Sequence, residues 1–352
     1  MIDLSNARLT TLAVHKVGNK SKKQGYVASK SLVELDERLA FILQDYYLKP
    51  FKAEEFFKFS HPVSLEHNMM YKSIGELFSQ SREEFLDVSH RILMHLYDRS
   101  QHPYIKSGEL HVAHFRECVV DGVELEAIGI FKSEIKDMFL KVDEEPDAVS
   151  IEPALGINVK KLDKGCLIFK TFEDDGFSVL MINKVSEDTQ YWRDEFLQVQ
   201  RLHDHSYQTE NFMNLTRDFC DEVLSREEDK KEQVMFLNKS MNYFMDNQDF
   251  DMNDFKKEVF PKPETQEKFD TYRKDYEQDT GLAPAEEGFE ISKYAVRTQK
   301  KNFKSIIKLD TPLEIRIDPK RLEDTEQYLE RCYDEQRDMF YYRVYFNEEM
   351  ES

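Results

Sequence analysis

The hydrophobic period changes along this chain, and the order of those changes restricts the fold more than any other property of the sequence. From Ser31 to Tyr97 apolar residues recur at helical spacing, and from Leu110 to Asn183 they come in short strand-like runs. Helical spacing returns over about 206–278, and short strands close the chain. Helices and strands gathered into blocks, rather than alternated, predict an α+β fold, since a parallel βαβ sheet would need them interleaved. The expected organisation is an N-terminal α+β domain over 1–190 with an antiparallel sheet and packed helices. A helical segment over 191–280 follows, then a small C-terminal α+β domain over 281–352 packed with that segment.

Within the first block, Leu32, Leu35, Leu39, Ile42, Leu43 and Tyr46 share a helix face, with Ser31 as N-cap, Glu34 completing a capping box and Pro50 beyond the end. Ser81 and Glu84 repeat that box before the stripe Phe85, Val88, Ile92, Leu93 and Leu96, and 70–78 reads as a shorter helix. Ala7 to Val14 is strand-like and stops at Gly18 in a lysine-rich turn. The runs LHVAHFRECVV, ELEAIGIF, DMFLKV, GCLIFKTF and FSVLMINK, punctuated by Asp121-Gly122 and Asp174-Asp175-Gly176, read as successive antiparallel strands of one meander. Helices are expected at about 206–225, 229–246, 251–259 and 264–278, a linker at Gly281 to Gly288, and the strands SIIKL, LEIRI and MFYYRVYF near the end.

Length and composition agree with this plan. A chain of 352 residues exceeds the size at which single cores stop growing, about 250–300 residues, so two domains are expected. The apolar fraction of 40% supplies their cores. The opening MIDLSNARLTTLAVH has no leader pattern and no stretch approaches a membrane span, so a cytoplasmic protein is expected. Cys118, Cys166, Cys220 and Cys332 lie far apart without a C-x-x-C pair and read as buried or idle thiols.

Catalytic signatures are missing. There is no G-x-G-x-x-G, no phosphate-loop G-K-[ST], no H-E-x-x-H and no G-x-S-x-G, so no cofactor, no metal and no enzyme activity is expected. His111 and His114 are three apart on an expected strand and so face opposite ways. His203-Asp204-His205 could grip zinc from a strand, but also suits a polar turn capping the helix that starts near Ser206. Asp121 with Glu134-Ile135-Lys136 mimics the D…E-x-K arrangement of metal-dependent nucleases, and Glu228-Asp229-Lys230 fits E-x-K equally well in a chain with 69 acids. A metal-dependent nuclease is carried as the enzyme alternative.

The formal net charge of −20 repels polyanions, so nucleic-acid binding requires segregated bases. Two windows are free of acids. The first holds Lys16, Lys20, Lys22, Lys23 and Lys30, the second Lys293, Arg297, Lys300, Lys301, Lys304 and Lys308. A helix continuing through the second would present Arg297, Lys300, Lys301, Lys304 and Lys308 on one basic face, with Phe303 off it. Solvated lysine runs without a ligand are the plain alternative. A weaker window, Lys160, Lys161, Lys164 and Lys170, is diluted by Asp163. The acidic stretches Asp218 to Glu232 and Glu323 to Asp338 suit a basic protein partner instead.

The segments LTTLAVHKVG, SGELHVAHFREC, VELEAIGIFKSE, PALGINVKKLDKGCLIF, YWRDEFLQVQ, TENFMNLTRDFCDEVL and KNFKSIIKLDTPLEIRIDPK occur in an order that resembles the bacterial nucleoid-associated family of the NdpA/YejK type, over nearly the whole chain. The resemblance implies a non-enzymatic protein at the bacterial nucleoid, joined to it through double-stranded DNA, DNA-bound protein partners, or both. Contact would be to phosphates without base readout. Asn158, Leu162 and Asp163 read as turn residues. Trp192 and Arg193 could stack on or contact DNA together with Lys160 and Lys161, or Trp192 could anchor the core. A homodimer is expected, since doubling a weak phosphate-binding surface adds avidity. An acidic adaptor for a chromosome-maintenance protein, without direct DNA contact, is the other reading.

Overall fold

The computed structural model describes residues 2–52, 55–79, 81–146, 148–171, 176–182, 191–260, 262–280, 288–303 and 305–348. The chain divides into two compact units, Met1–Leu202 and His203–Ser352, and its mixed helices and antiparallel sheets make it α+β. No helix among the described residues is long and apolar enough to cross a membrane.

Unit 1 is built on an antiparallel sheet. Its strands are β1 (Ile2–Asp3), β2 (Arg8–Val17), β3 (Tyr26–Val27), β4 (Phe56–Phe59), β5 (Gly108–Val120), β6 (Val123–Ser133), β9 (Lys164–Lys170), β10 (Phe177–Met181) and β11 (Val199–Arg201). The order is β11-β4-β10-β9-β6-β5-β2-β3, with β1 also on β5. β5 and β6 join through Asp121-Gly122, both at positive φ (48° and 79°), the backbone that a two-residue hairpin requires. Strand alternation divides the core in two. Leu110, Val112, Ile128, Ile130 and Ile168 face α2 (Met69–Ser79) and α3 (Arg82–Arg99), whereas Ala113, Phe115, Phe131, Leu167 and Phe169 face α1 (Glu37–Leu48). The capping box of Ser81 and Glu84 forms as expected.

Three expectations are corrected here. First, α1 begins at Glu37, not beside Ser31. Asp36 is its N-cap, accepting the Leu39 N–H at 2.7 Å. Residues before it run extended, with the Val33 N–H bonded to the Leu12 carbonyl on β2 and Val33 and Leu35 packed against the core, so packing overrides the Ser31/Glu34 box. Second, the run DMFLKV does not join the main sheet. It lies in β7 (Lys136–Glu145), which pairs along its length with β8 (Ala148–Ile157) as a separate two-stranded ribbon, while β6 pairs directly with β9. Third, no single helix carries the second basic window, as described below. The Asp174-Asp175 part of the next turn and the linker over 281–287 lie outside the described residues.

Unit 2 holds α4 (His205–Phe219, continued by a π turn to Leu224), α5 (Lys230–Asp246), α6 (Met252–Val259), α7 (Pro263–Thr280), α8 (Lys293–Gln299) and α9 (Leu322–Tyr328). Phenylalanines fill its interior: Phe212, Phe219, Phe244, Phe250, Phe255 and Phe269 are at most 2% exposed, and many ring pairs sit edge to face. Three strand pairs complete it: β12 (Asp249–Asp251) with β13 (Gly288–Glu290), β14 (Ile306–Lys308) with β15 (Glu314–Arg316), and β16 (Leu329–Asp334) with β17 (Met339–Val344).

Candidate nucleic-acid interface

The first lysine window is a built loop rather than a loose tail. β2 ends at Val17, and at Gly18 the chain passes so close to the Gly25 carbonyl that a Cβ would collide with it. Asn19 is fully buried. Its amide donates to the carbonyls of His102 (2.8 Å) and Ile105 (2.7 Å), and its side-chain oxygen accepts from Ser21 Oγ (2.7 Å) and Lys22 N (3.1 Å). The Lys20 N–H is bonded to the Ser100 carbonyl and the Gln24 N–H to the Asn19 carbonyl. The loop thereby holds Lys20, Lys22 and Lys23 outward on a fixed backbone, with Lys23 at φ 55°. Lys20 pairs with Asp98 at 2.5 Å. Lys16, Lys22, Lys23 and Lys30 are exposed and form no ion pair with another described residue.

The second window lies in unit 2, so the two windows belong to different compact units. α8 stops at Gln299, Lys300–Asn302 form one 3-10 turn, Phe303 is buried, and Lys308 sits on β14. The continuous basic helix is therefore replaced by a helix, a turn and a strand. Ile307, 1% exposed, explains the change: it packs with Val234, Met235 and Ile317 as part of a hairpin, a pairing for which β-branched residues are suited. Lys304 lies outside the described residues. Arg297, Lys300, Lys301 and Lys308 are exposed and form no ion pair with another described residue. Lys293 has a structural role, since its ammonium donates to the carbonyls of Met245 (2.9 Å) and Asn247 (2.6 Å) at the C-terminus of α5.

The fold adds two cations that sequence reasoning missed. A cleft of about 240 Å³ is lined by Arg217, Lys230 and Lys301 together with Asp221 and Asn302. Arg217 and Lys230 fall within the acidic stretch Asp218 to Glu232 or beside it, so their neighbours in sequence concealed them. α4 and α5 bring them to Lys301. Arg217 is held by Asp218 at 2.8 Å, and the Lys230 ammonium donates to Gln233 at 2.9 Å.

The weaker candidates separate. Lys160 and Lys161 are exposed in the turn after β8, where the Asn158 side chain accepts the Lys160 N–H (2.9 Å), as expected of a turn residue. Lys164 is interior: its ammonium and that of Lys132 grip the two oxygens of Glu134, each at 2.8 Å, with all three side chains at most 9% exposed. Lys132 also donates to the Lys106 carbonyl (2.7 Å) and the Tyr191 hydroxyl (3.3 Å). Burial alone would raise the Glu134 pKa, but the two ammonium groups hold it below the ordinary value. Trp192 is 1% exposed, packed on Phe196, and so cannot stack on a base, while Arg193 is tied to the adjacent Asp194 at 2.6 Å.

Alternative chemistry has no assembled site among the described residues. Asp121 and Glu134 stand at opposite ends of β6, about 40 Å apart along the strand at ~3.3 Å per residue, and Glu134 is engaged by the two lysines. His111 and His114 lie on opposite faces of β5: His111 meets the Tyr47 hydroxyl at 2.8 Å and His114 approaches Glu126. Asp204 caps α4, accepting the Tyr207 N–H at 2.9 Å, and His203 stacks on Tyr207. No group of three or more His, Cys, Asp or Glu that could hold a metal occurs among the described residues. Burial pushes the thiols of Cys118 and Cys220 up to about 12.

Compared with known families, residues 13–341 match the model described as nucleoid-associated protein YejK. A search of curated proteins found no match.

Proposed function

Because the chain belongs to the YejK family of nucleoid-associated proteins, whose pattern runs through residues 13–341 of its 352, we propose that it binds double-stranded DNA directly, through phosphates and without reading bases, as a homodimer in the bacterial cytoplasm. The observation that carries this reading is the first lysine window: Lys16, Lys22, Lys23 and Lys30 are exposed and without ion pairs to described residues in a chain of net charge −20, with Lys22 and Lys23 on a backbone fixed by buried Asn19. Unpaired cations on a preorganised loop exchange counterions for phosphates at little ordering cost. Arg297, Lys300, Lys301 and Lys308 form the second contact surface, to which Lys304 belongs by sequence, and the Arg217–Lys230–Lys301 cleft suits a single phosphate group. Lys160 and Lys161 are secondary contacts.

Retention of a duplex on a filter, falling steeply as salt rises and indifferent to its sequence, is the expected result. A flat salt response or no retention would leave the second reading, an acidic adaptor recruited by a DNA-bound protein. That reading is favoured by helix α7, where Glu264, Glu267, Asp270, Asp275, Glu277 and Asp279 outnumber Lys268, Arg273 and Lys274, although Asp270 and Glu277 are engaged by Lys256 and Arg273. It predicts capture of a chromosome-maintenance protein from nuclease-treated lysate. The nuclease reading predicts magnesium- or manganese-dependent cleavage lost in Glu134→Ala, and intact plasmid with either metal removes it.

A further inference from the structure

The ribbon of β7 and β8 has one face that nothing in the described chain covers. In its register Met138 lies opposite Leu155, Leu140 opposite Pro153, Val142 opposite Ile151 and Glu144 opposite Val149. Directly paired residues share a face, so Met138, Leu140, Val142, Val149, Ile151 and Leu155 form one apolar surface, each between 56% and 73% exposed. The opposite face is wet: Lys141 pairs with Asp143 at 2.7 Å beside Glu152 and Ser150, and Phe139 lies across Gly156. A two-stranded ribbon with an uncovered apolar face is marginal in water, yet its base is firmly clamped. Asp163 accepts the Glu134 and Ile135 N–H groups (2.7 and 3.1 Å) just before β7, and Lys164 reaches Glu134 just after β8.

We propose that this face is the dimer interface, two copies stacking their ribbons face to face with the base of one over the tip of the other. The inference rests on the homodimer reading above and assigns it a surface. Two observations select a second copy. At about 100–120 Å² per residue the six side chains present roughly 600–700 Å², close to the ~800 Å² per partner of a standard stable interface and above the apolar patch of an ordinary monomer. The ribbon also carries its own complement of charge. Near its tip β7 carries Glu144 on the apolar face, opposite Val149, whereas the turn that follows β8 at the base carries the exposed Lys160 and Lys161. A two-fold axis across the ribbon sets acidic tip on basic base twice, whereas an axis along it would set tip on tip and repel.

Sedimentation velocity of the full chain without DNA, from about 1 to 100 µM, tests this. The expected wild-type species is twice 41.9 kDa, and Leu140→Lys with Ile151→Lys gives a monomer whose circular dichroism and tryptophan fluorescence are unchanged. Lys160→Glu with Lys161→Glu, and separately Glu144→Lys, each weaken the dimer at least tenfold, and mixing the two restores it as a heterodimer, because every tip then meets a base of opposite sign. A monomeric wild type overturns the proposal, whether the ribbon is then covered by another protein or by this chain itself. So does a dimer that survives Leu140→Lys with Ile151→Lys, or a mixture that fails to recover. Oligomeric state is read without DNA, so loss of the dimer assignment and loss of the DNA-binding reading are separate results.

Discussion

Glu134→Gln isolates the buried charge network that anchors the ribbon's base. The substitution keeps the side chain's shape and removes its charge, leaving the Lys132 and Lys164 ammonium groups, 0% and 9% exposed, to share one neutral carbonyl oxygen, while the new amide NH₂ points at a cation. Breaking a buried ion pair by removing one partner costs about 3–5 kcal/mol. Lys132 keeps the Lys106 carbonyl and the Tyr191 hydroxyl, which places the expectation at the lower end, about 3 kcal/mol. For a unit near 200 residues that is a fall in Tm of roughly 6–12 °C. The assay is thermal unfolding followed by tryptophan fluorescence, because the one tryptophan, Trp192, is buried in unit 1 and reports that unit alone. Lys141→Ala is the control: its partner is Asp143 on an exposed pair (58% and 42%), worth at most ~1 kcal/mol. A Glu134→Gln shift no larger than the Lys141→Ala shift would refute the reasoning, because Glu134 would then not be compensating two buried cations.

Burial lowers the pKa of His15 and of His111 to about 4, with His90 adding to the effect on His15 and His15 to that on His111, whereas an unfolded chain would titrate them near 6.5. Between those values the unfolded state binds more protons, so stability is full above about pH 6.5 and is lost as pH falls through about 4. At 2–4% exposure each contributes on the order of 3 kcal/mol, and urea midpoints of unit 1 that stay constant from pH 7 to 4.5 would contradict this. Lys293→Met removes the donor at the carbonyl end of α5 and should cost about 1–2 kcal/mol in unit 2 only, read by calorimetry as a shift that leaves the tryptophan transition in place. Asn19→Ala deletes four hydrogen bonds of the lysine loop. Faster amide exchange over residues 19–24 and weaker duplex binding are expected together, and unchanged exchange would mean that Asn19 does not fix the loop.

Features set by local backbone chemistry were legible in the sequence. The Ser81/Glu84 box, the Asp121-Gly122 hairpin, the Asp204 cap and the opposed faces of His111 and His114 all depend on residues a few positions apart. What escaped depends on where surfaces meet. The apolar face of β7 has the same alternation whether it is bound for a core or for solvent, so nothing local marks the ribbon as separate from the sheet. Lys164 reads as part of a weak basic window and Lys132 carries no mark at all, because their partner, Glu134, and the burial around it come from the fold. Leu32 and Leu35 continue a helical period, yet Val33 is taken by β2 and the helix starts at Glu37, capped by Asp36, instead. Likewise Ile307 diverts the second basic window into a hairpin, and Arg217 and Lys230 join Lys301 only through the packing of α4 and α5.

Direct DNA binding through the lysine loop is tested by measuring duplex affinity against salt for the wild type and for a variant with Lys16, Lys22, Lys23 and Lys30 all changed to Gln. Each phosphate contact contributes about 0.9 to the slope of log affinity on log salt concentration. The wild type is therefore predicted to show a steep negative slope, and the variant one shallower by about 3.6, four contacts at about 0.9 each, with binding weakened alike on every sequence tested. A wild type without salt-sensitive affinity, or a variant with the wild-type slope, would contradict the account.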